Sequence, residues 1–274
     1  MPEGDEVQLD DLQQQVMTLA NLKEAEEPVV SCYLDLRSRY RESLNDRVRA
    51  VKNQLDRRMR LPFWEALGRI EVFVGTGIRP ESRGAAIFSR GGEHSFFLPL
   101  QFEVPLSTWV TVSARPHIYH LVELWHDHSH RTSRPSGIES ARFEEEESLA
   151  LLATLHKEMS ASGLAVGGTL ASLKALKEGR VSVLLLSRSY APDPGWLCCG
   201  CEGLLIAFPM PPGCSSCGGR MLRELDLKEE LVRIAVQNSC PIRIVEHSDG
   251  MKAIGGIGCL LSHQVTERFD RTAA

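Results

Sequence analysis

Four of the eight cysteines in this chain, Cys198, Cys201, Cys214 and Cys217, form two Cys-x-x-Cys pairs with twelve residues between them. Thiolates at that spacing suit a tetrahedral zinc site, because each short loop aims two sulfurs at one ion and the hairpin between them brings the pairs together. With sulfur at all four positions there is no open place for water or substrate, so the ion would hold a small ribbon together and would not catalyse. Cys199 is an alternative ligand, but pairing it with Cys201 leaves one intervening residue, a tighter bite. Cys32, Cys240 and Cys259 sit in apolar runs and are expected to be buried as small hydrophobes.

The other chemistry-bearing strings are weaker. His126-Asp127-His128-Ser129-His130 holds competent metal ligands, but alternate residues on an irregular segment lack the i, i+4 geometry that fixes two ligands on a helix. Gly167-Gly168-Thr169 precedes a helix and has N–H groups to offer phosphate, yet it lacks the Gly-Lys-Ser/Thr ending of a P-loop. Gly255-Gly256-Ile257-Gly258 reads as a tight entry into a strand. No nucleophile has an identifiable base partner, so the expectation is a protein that binds and does not catalyse.

These residues sit in a chain of 274 residues, 43% apolar, enough to fill one large core or two ordinary ones. No segment approaches the roughly 18 uninterrupted apolar residues of a membrane span, and the acidic start Met-Pro-Glu-Gly-Asp-Glu is unlike a secretory signal. A cytoplasmic location is therefore expected, where reducing conditions favour metal binding over disulfides. The net charge of −5 gives no reason to call the whole protein a polyanion binder, but its distribution is uneven. From Arg37 to Arg60 nine Lys or Arg stand against three acids, while Glu144 to Glu147 form an acidic block. The basic run includes Arg47, Arg49, Lys52, Arg57 and Arg58, candidates for contact with nucleic-acid phosphates on an otherwise solvated helix face.

Apolar spacing supplies the elements that would position these groups. Val7, Leu9, Leu12, Val16 and Leu19 mark an opening helix, Val29 to Leu36 a strand, and Leu44, Val48, Val51, Leu55 and Met59 a second helix bearing the cations. Phe63 to Val74 reads as a helix, Ala85 to Phe88, Phe96 to Leu100 and Trp109 to Val112 as strands, and Pro116 can open a helix through Trp125. The stretch His126 to Ser140 has no apolar period and is taken as linker. Beyond it, Leu149, Leu152, Leu155 and Met159, then Leu170, Leu173 and Leu176, mark helices, with Gly179 stopping the second before the strand Val181 to Leu186. Asp226-x-x-Glu229 can cap a helix Leu227 to Gln237, and strands Ile242 to Val245 and Ile257 to Leu261 complete an alternating set.

Read as one string, Leu173-Lys174-Ala175-Leu176-Lys177-Glu178-Gly179-Arg180-Val181, the cysteine pairs, and Gly255-Gly256-Ile257-Gly258 resemble the third domain of archaeal and eukaryotic class I peptide-chain release factors and of Pelota. Ser31-Cys32-Tyr33-Leu34-Asp35, Arg83-Gly84-Ala85-Ala86-Ile87-Phe88 and Val112-Ser113-Ala114-Arg115-Pro116-His117 are similar to first-domain segments of bacterial proteins of archaeo-eukaryotic release-factor type. The similarities cover most of residues 29 to 263. In that family a middle domain carries Gly-Gly-Gln, which helps position water for peptidyl-tRNA hydrolysis. This chain has no room for that domain and no Gly-Gly-Gln, and it lacks the stop-codon strings Asn-Ile-Lys-Ser and Tyr-x-Cys-x-x-x-Phe, so termination activity does not carry over.

The resulting expectation is an α/β protein of two domains. A release-factor-like α/β domain would span 1–125, a linker 126–142, and a C-terminal α/β/α sandwich 143–265 with a zinc ribbon at 196–220, followed by a tail at 266–274. The resemblance implies a ribosome- or structured-RNA-associated factor in translation stress, rescue or hibernation, with a translation GTPase as a further partner. The alternatives are a zinc-ribbon module for protein–protein interaction and a metal-dependent hydrolase using the His-rich segment.

Overall fold

The computed structural model describes residues 9–262 apart from 38, 54, 133–137, 162 and 247, so the expected tail at 266–274 lies outside the described residues. The chain divides into two compact units, Met1–Leu121 and Val122–Ala274.

In the first unit, α1 (Leu9–Ala20) leads to β1 (Val29–Asp35), α2 (Tyr40–Lys52), a 3-10 turn (Arg57–Met59) and α3 (Arg60–Thr76), then β2 (Gly84–Arg90), β3 (Phe96–Phe102) and β4 (Trp109–Ser113). The strands form one sheet in the order β3-β2-β1-β4, every pair antiparallel, with Cys32 opposite Ile87 on one side and Val110 on the other. Alternation puts Val30, Cys32 and Leu34 on the face that meets α2 and α3, where Leu44, Val48, Phe63, Leu67 and Ile70 complete a buried core. The opposite face is also buried, and there the ring of Tyr33 meets Phe88, Trp109 and His120.

Two boundaries differ from the periodic reading. The helix expected through Met59 ends at Lys52, where Asn53 is the C-cap and Asp56, with extended backbone, precedes a separate 3-10 turn, positions these residue types favour over a helix interior; Leu55 still packs on the core from outside the helix. The helix expected to open at Pro116 begins at Tyr119, because the N–H of His117 donates to Ser31 Oγ at 3.0 Å and its carbonyl accepts from Tyr33 Oη at 2.6 Å, both on β1. That helix, α4 (Tyr119–Thr132), begins in the first unit and runs on in the second.

The second unit continues with α5 (Ile138–Ala161), β5 (Ala165–Gly167), α6 (Thr169–Lys177), β6 (Val181–Ser187), β7 (Gly195–Cys198), β8 (Leu204–Ile206), β9 (Leu222–Leu225), α7 (Leu227–Gln237), β10 (Ile242–Val245), α8 (Asp249–Ala253) and β11 (Ile257–Leu261). Its main sheet has the order β10-β6-β11-β5, with β10 parallel to β6 and β11 antiparallel to both neighbours. Helices lie on both faces. A Cβ on Gly258 of β11 would strike Leu155 of α5, while the next side chain, Cys259, meets Ser172 of α6. Helix α6 ends where sequence placed its stop: Gly179 takes φ +66°, and the N–H groups of Gly179 and Arg180 close back on the carbonyls of Leu176 and Ala175. Asp226 caps α7 by accepting the N–H of Glu229 at 3.1 Å.

The segment expected as linker, 126–142, is helical from His126 to Thr132 and again from Ile138, where α5 begins. Apolar period was the wrong test there, since a helix is also held by what its polar side chains bond. His126 Nε2 accepts the N–H of Ile244 on β10 at 3.2 Å, and Asp127 pairs with Arg188 at 2.8 Å.

Candidate metal centre and basic surface

Between β6 and α7 the chain forms a second, three-stranded sheet in the order β8-β7-β9, with Trp196 Nε1 donating to the carbonyl of Ala207 at 2.9 Å. The four expected cysteines come together at its end, all donor atoms lying within 4.8 Å of one another. Each pair sits on the same turn. The N–H of Cys198 donates to the carbonyl of Gly203 at 2.9 Å, and that of Glu202 returns to the carbonyl of Cys198 at 2.9 Å. The N–H of Cys214 likewise donates to Gly219 at 2.8 Å, and that of Gly218 to Cys214 at 2.8 Å. The fifth residue of each turn is left-handed, Glu202 at φ 57° and Gly218 at φ 72°.

This geometry fits a single ion. Sγ of Cys198 is 3.5 Å from that of Cys217, and Sγ of Cys201 is 3.6 Å from that of Cys214. Four sulfurs around one ion at about 2.3 Å stand roughly 3.8 Å apart, close to those spacings. A side chain at the end of either turn would crowd the sulfurs: a Cβ on Gly219 would lie 3.2 Å from Cys217 Sγ and 3.3 Å from Cys198 Sγ, and one on Gly203 3.2 Å from Cys201 Sγ.

The electrostatics agree. The N–H groups of Cys217 and Ser216 hold the Cys214 thiol down to about 6, and those of Cys201 and Gly200 lower Cys198. For Cys201 the N–H of Gly203 favours the thiolate, but the neighbouring sulfurs of Cys217 and Cys214 outweigh it and push the thiol up to about 12. Sulfur ligands that repel one another's charge are matched by a dication, which reverses that repulsion.

Cys199 is exposed and outside the cluster. Burial drives the thiols of Cys32 and Cys259 up to about 12 and that of Cys240 up to about 11, as expected of packed cysteines. In the His-rich segment, His126 gives Nε2 to a backbone N–H; the side chain of His130 lies outside the described part. Among the described residues the four cysteines are the one group able to hold a metal.

The five candidate cations are all exposed, Arg47, Arg49 and Lys52 on α2 and Arg57 and Arg58 on the 3-10 turn. Arg49 has a partner, Asp46, at 3.8 Å with both side chains open to solvent. For Arg47, Lys52, Arg57 and Arg58 no carboxylate partner occurs among the described residues. Lys52 Nζ stands 5.0 Å above the ring of Trp64, which is itself 43% exposed. The periodic reading missed this tryptophan, although Trp64 beside a cationic run was signal enough; it likewise missed Gly203 and Gly219, which the repeated Cys-x-x-Cys-x-Gly carries.

No protein-family model matches the chain, and a search of the curated proteins finds no match. Among solved structures it is similar to the C-terminal domain of a peptide chain release factor from Methanosarcina mazei, at 22% identity over 52% of this chain and 93% of that one, with a TM-score of 0.35. It is similar to an archaeal translation termination factor at 11% identity, covering 94% and 99% of the two chains with a TM-score of 0.38. It is similar to Archaeoglobus fulgidus Pelota at 10% identity, covering 97% and 98% with a TM-score of 0.32.

Proposed function

We propose that this protein is a non-catalytic, release-factor-like factor that associates with the ribosome or with structured RNA in the cytoplasm and acts in translation stress, rescue or hibernation. The observation that carries the reading is the cationic surface of α2 and the following turn, where Arg47, Lys52, Arg57 and Arg58 are exposed on a chain of net charge −5. Unneutralised cations on one element of an acidic protein give a local field suited to phosphates, and the half-exposed ring of Trp64 beside Lys52 adds a surface on which a base can stack. The strings resembling release factors, together with the missing Gly-Gly-Gln, support binding without hydrolysis.

Zinc is the proposed ion of the cysteine cluster, since four thiolates at tetrahedral spacing suit it. Its role is to fix the ribbon. Co-sedimentation with ribosomes at low and raised salt tests the reading: the protein enters the pellet at low salt and leaves it steeply as salt rises. A protein absent from the pellet at both defeats it.

A second reading rests on Phe208, Met210 and Met221, which the ribbon leaves 79%, 57% and 75% exposed. Large apolar side chains exposed on the loops that flank β8 and β9 suit a protein partner, a translation GTPase being the one the family resemblance implies. Capture of a partner that survives nuclease treatment, and is lost on Phe208→Ser with Met210→Ser, favours it.

A further inference from the structure

Helix α3 is apolar on two sides. Phe63, Ala66, Leu67, Ile70 and Val74 face the core and are buried. At intervals of three and four on the opposite side run Leu61, Trp64, Gly68, Val72 and Gly75, with Leu61 69%, Trp64 43% and Val72 67% exposed. A Cβ placed on Gly68 or Gly75 meets nothing within 4 Å. The outward stripe is therefore open, apolar and low at its middle and its C-terminal end, over a length of about 21 Å.

We propose that this stripe is where two copies of the chain pair, α3 against α3, antiparallel, about a two-fold axis at Gly68. The stripe complements itself in that arrangement. Leu61 of one copy comes level with Gly75 of the other, Trp64 with Val72, and the two Gly68 residues meet at the axis, so bulk faces a gap at each end and the backbones approach at the centre.

The charges agree independently. Glu65 and Arg69 lie on one flank of the stripe, and Glu71 lies on the other with Trp64 and its attendant Lys52, all exposed. A two-fold axis perpendicular to both helices sets each flank against the same flank of the second copy. Glu65 then faces Arg69 of the second copy, and Glu71 faces Lys52 of the second copy, so both flanks bring opposite charges together. Glu65 also accepts the N–H of Gly92 at 2.7 Å, which holds it at this edge. The same two carboxylates repel a phosphate backbone, which favours a protein occupant over RNA here. Lys52 and Trp64 belong to both this face and the proposed phosphate surface; Gly68 and Val72 belong to this face alone.

Sedimentation velocity and light scattering on the full chain test the pairing. The wild type is expected as a dimer at tens of micromolar, and Val72→Glu, at a position open enough to leave the far-ultraviolet circular dichroism unchanged, as a monomer, with association weakened on the order of 100-fold or more. In a Cys199→Ser background, Gly68→Cys is expected to form an interchain disulfide on mild oxidation. Gly75→Cys is not, because its two copies lie about 21 Å apart along the helices, beyond disulfide reach. A wild type that stays monomeric up to roughly 100 micromolar, about 5.5 kcal/mol of association, overturns the proposal. So does a dimer indifferent to Val72→Glu, or equal cross-linking at Gly68 and Gly75. If Val72→Glu abolishes ribosome sedimentation while the wild type is monomeric, the face belongs to the ribosome and the pairing is refuted. If pairing is lost and sedimentation persists, the pairing stands apart from the ribosomal reading.

Discussion

Sγ of Cys201 lies 3.6 Å from Sγ of Cys214, although twelve residues separate the two in sequence. The twin turns and the β8-β7-β9 sheet bring them there, so the contact reports the fold of the whole ribbon. One tightly bound zinc per chain is expected, and cobalt substitution should give the intense visible bands of a tetrahedral thiolate site. Cys201→Ser or Cys214→Ser should abolish them, whereas Cys199→Ser should leave them unchanged. Protons compete with the ion for thiolates, so affinity falls as pH falls. Acidification should therefore release the ion and abolish the cobalt bands, and bands that persist unchanged through the acid range would refute thiolate ligation.

Thiol accessibility follows from the same arrangement. Cys32, Cys240 and Cys259 are buried, and four cysteines are proposed to hold the ion, which leaves Cys199 as the reactive thiol. A thiol reagent on the metal-loaded native protein should modify one cysteine rapidly, identified by mass spectrometry as Cys199. Chelation should raise the count toward five while the three packed cysteines stay protected. Rapid labelling of Cys259 in the loaded protein would contradict the packing of β11 against α6.

The cysteine cluster was legible because Cys-x-x-Cys encodes its own geometry. Strands β1, β2 and β6 were legible for a related reason: β1 and β2 are buried on both faces, and β6 carries the buried run Leu184-Leu185-Leu186. Periodicity misled where neighbours decided the outcome. Leu149, Met159 and Leu170 keep helical spacing yet are 54%, 37% and 58% exposed, so spacing named the helix without naming its buried side. The short β5 is made by pairing with β11, and α8 by Ser248 accepting the N–H of Met251 at 3.2 Å; neither has enough residues to show a period. The solvent-side stripe of α3 was hidden because a helix apolar on two sides has no clear polar face to count against.

Gly219 tests the cradle around the sulfurs. A methyl group there would press on Cys217 Sγ and Cys198 Sγ at 3.2 and 3.3 Å, whereas at Gly200 the nearest sulfur stands 3.8 Å away. Gly219→Ala should weaken metal affinity by on the order of tenfold or more, and Gly200→Ala by little. Competition with a chelating dye measures both. In both variants the far-ultraviolet circular dichroism of the α/β body should persist, because that body has its own core. Equal affinities for the two variants would show that the sulfurs shift freely.

Arg188 tests how α4 is held within the second unit. Its guanidinium meets Glu123 at 2.6 Å, Asp127 at 2.8 Å and Glu246 at 2.8 Å, tying two positions on α4 to the loop after β10. Burial raises the Asp127 carboxyl, but the hydrogen bonds from His126 and Arg188 outweigh it and hold the group below its usual range. Arg188→Met keeps the stem and removes the charge. With the side chain one-third exposed, the expected loss is about 1 to 2 kcal/mol at pH 7, measured by urea denaturation. A carboxylate with a lowered folded value contributes stability that is complete above the unfolded value of about 3.9 and disappears as pH falls through the folded one. The gap between wild type and variant should therefore be full at pH 7 and narrow below about pH 4. A gap that stays constant down to pH 3 would mean that the arginine acts through packing alone.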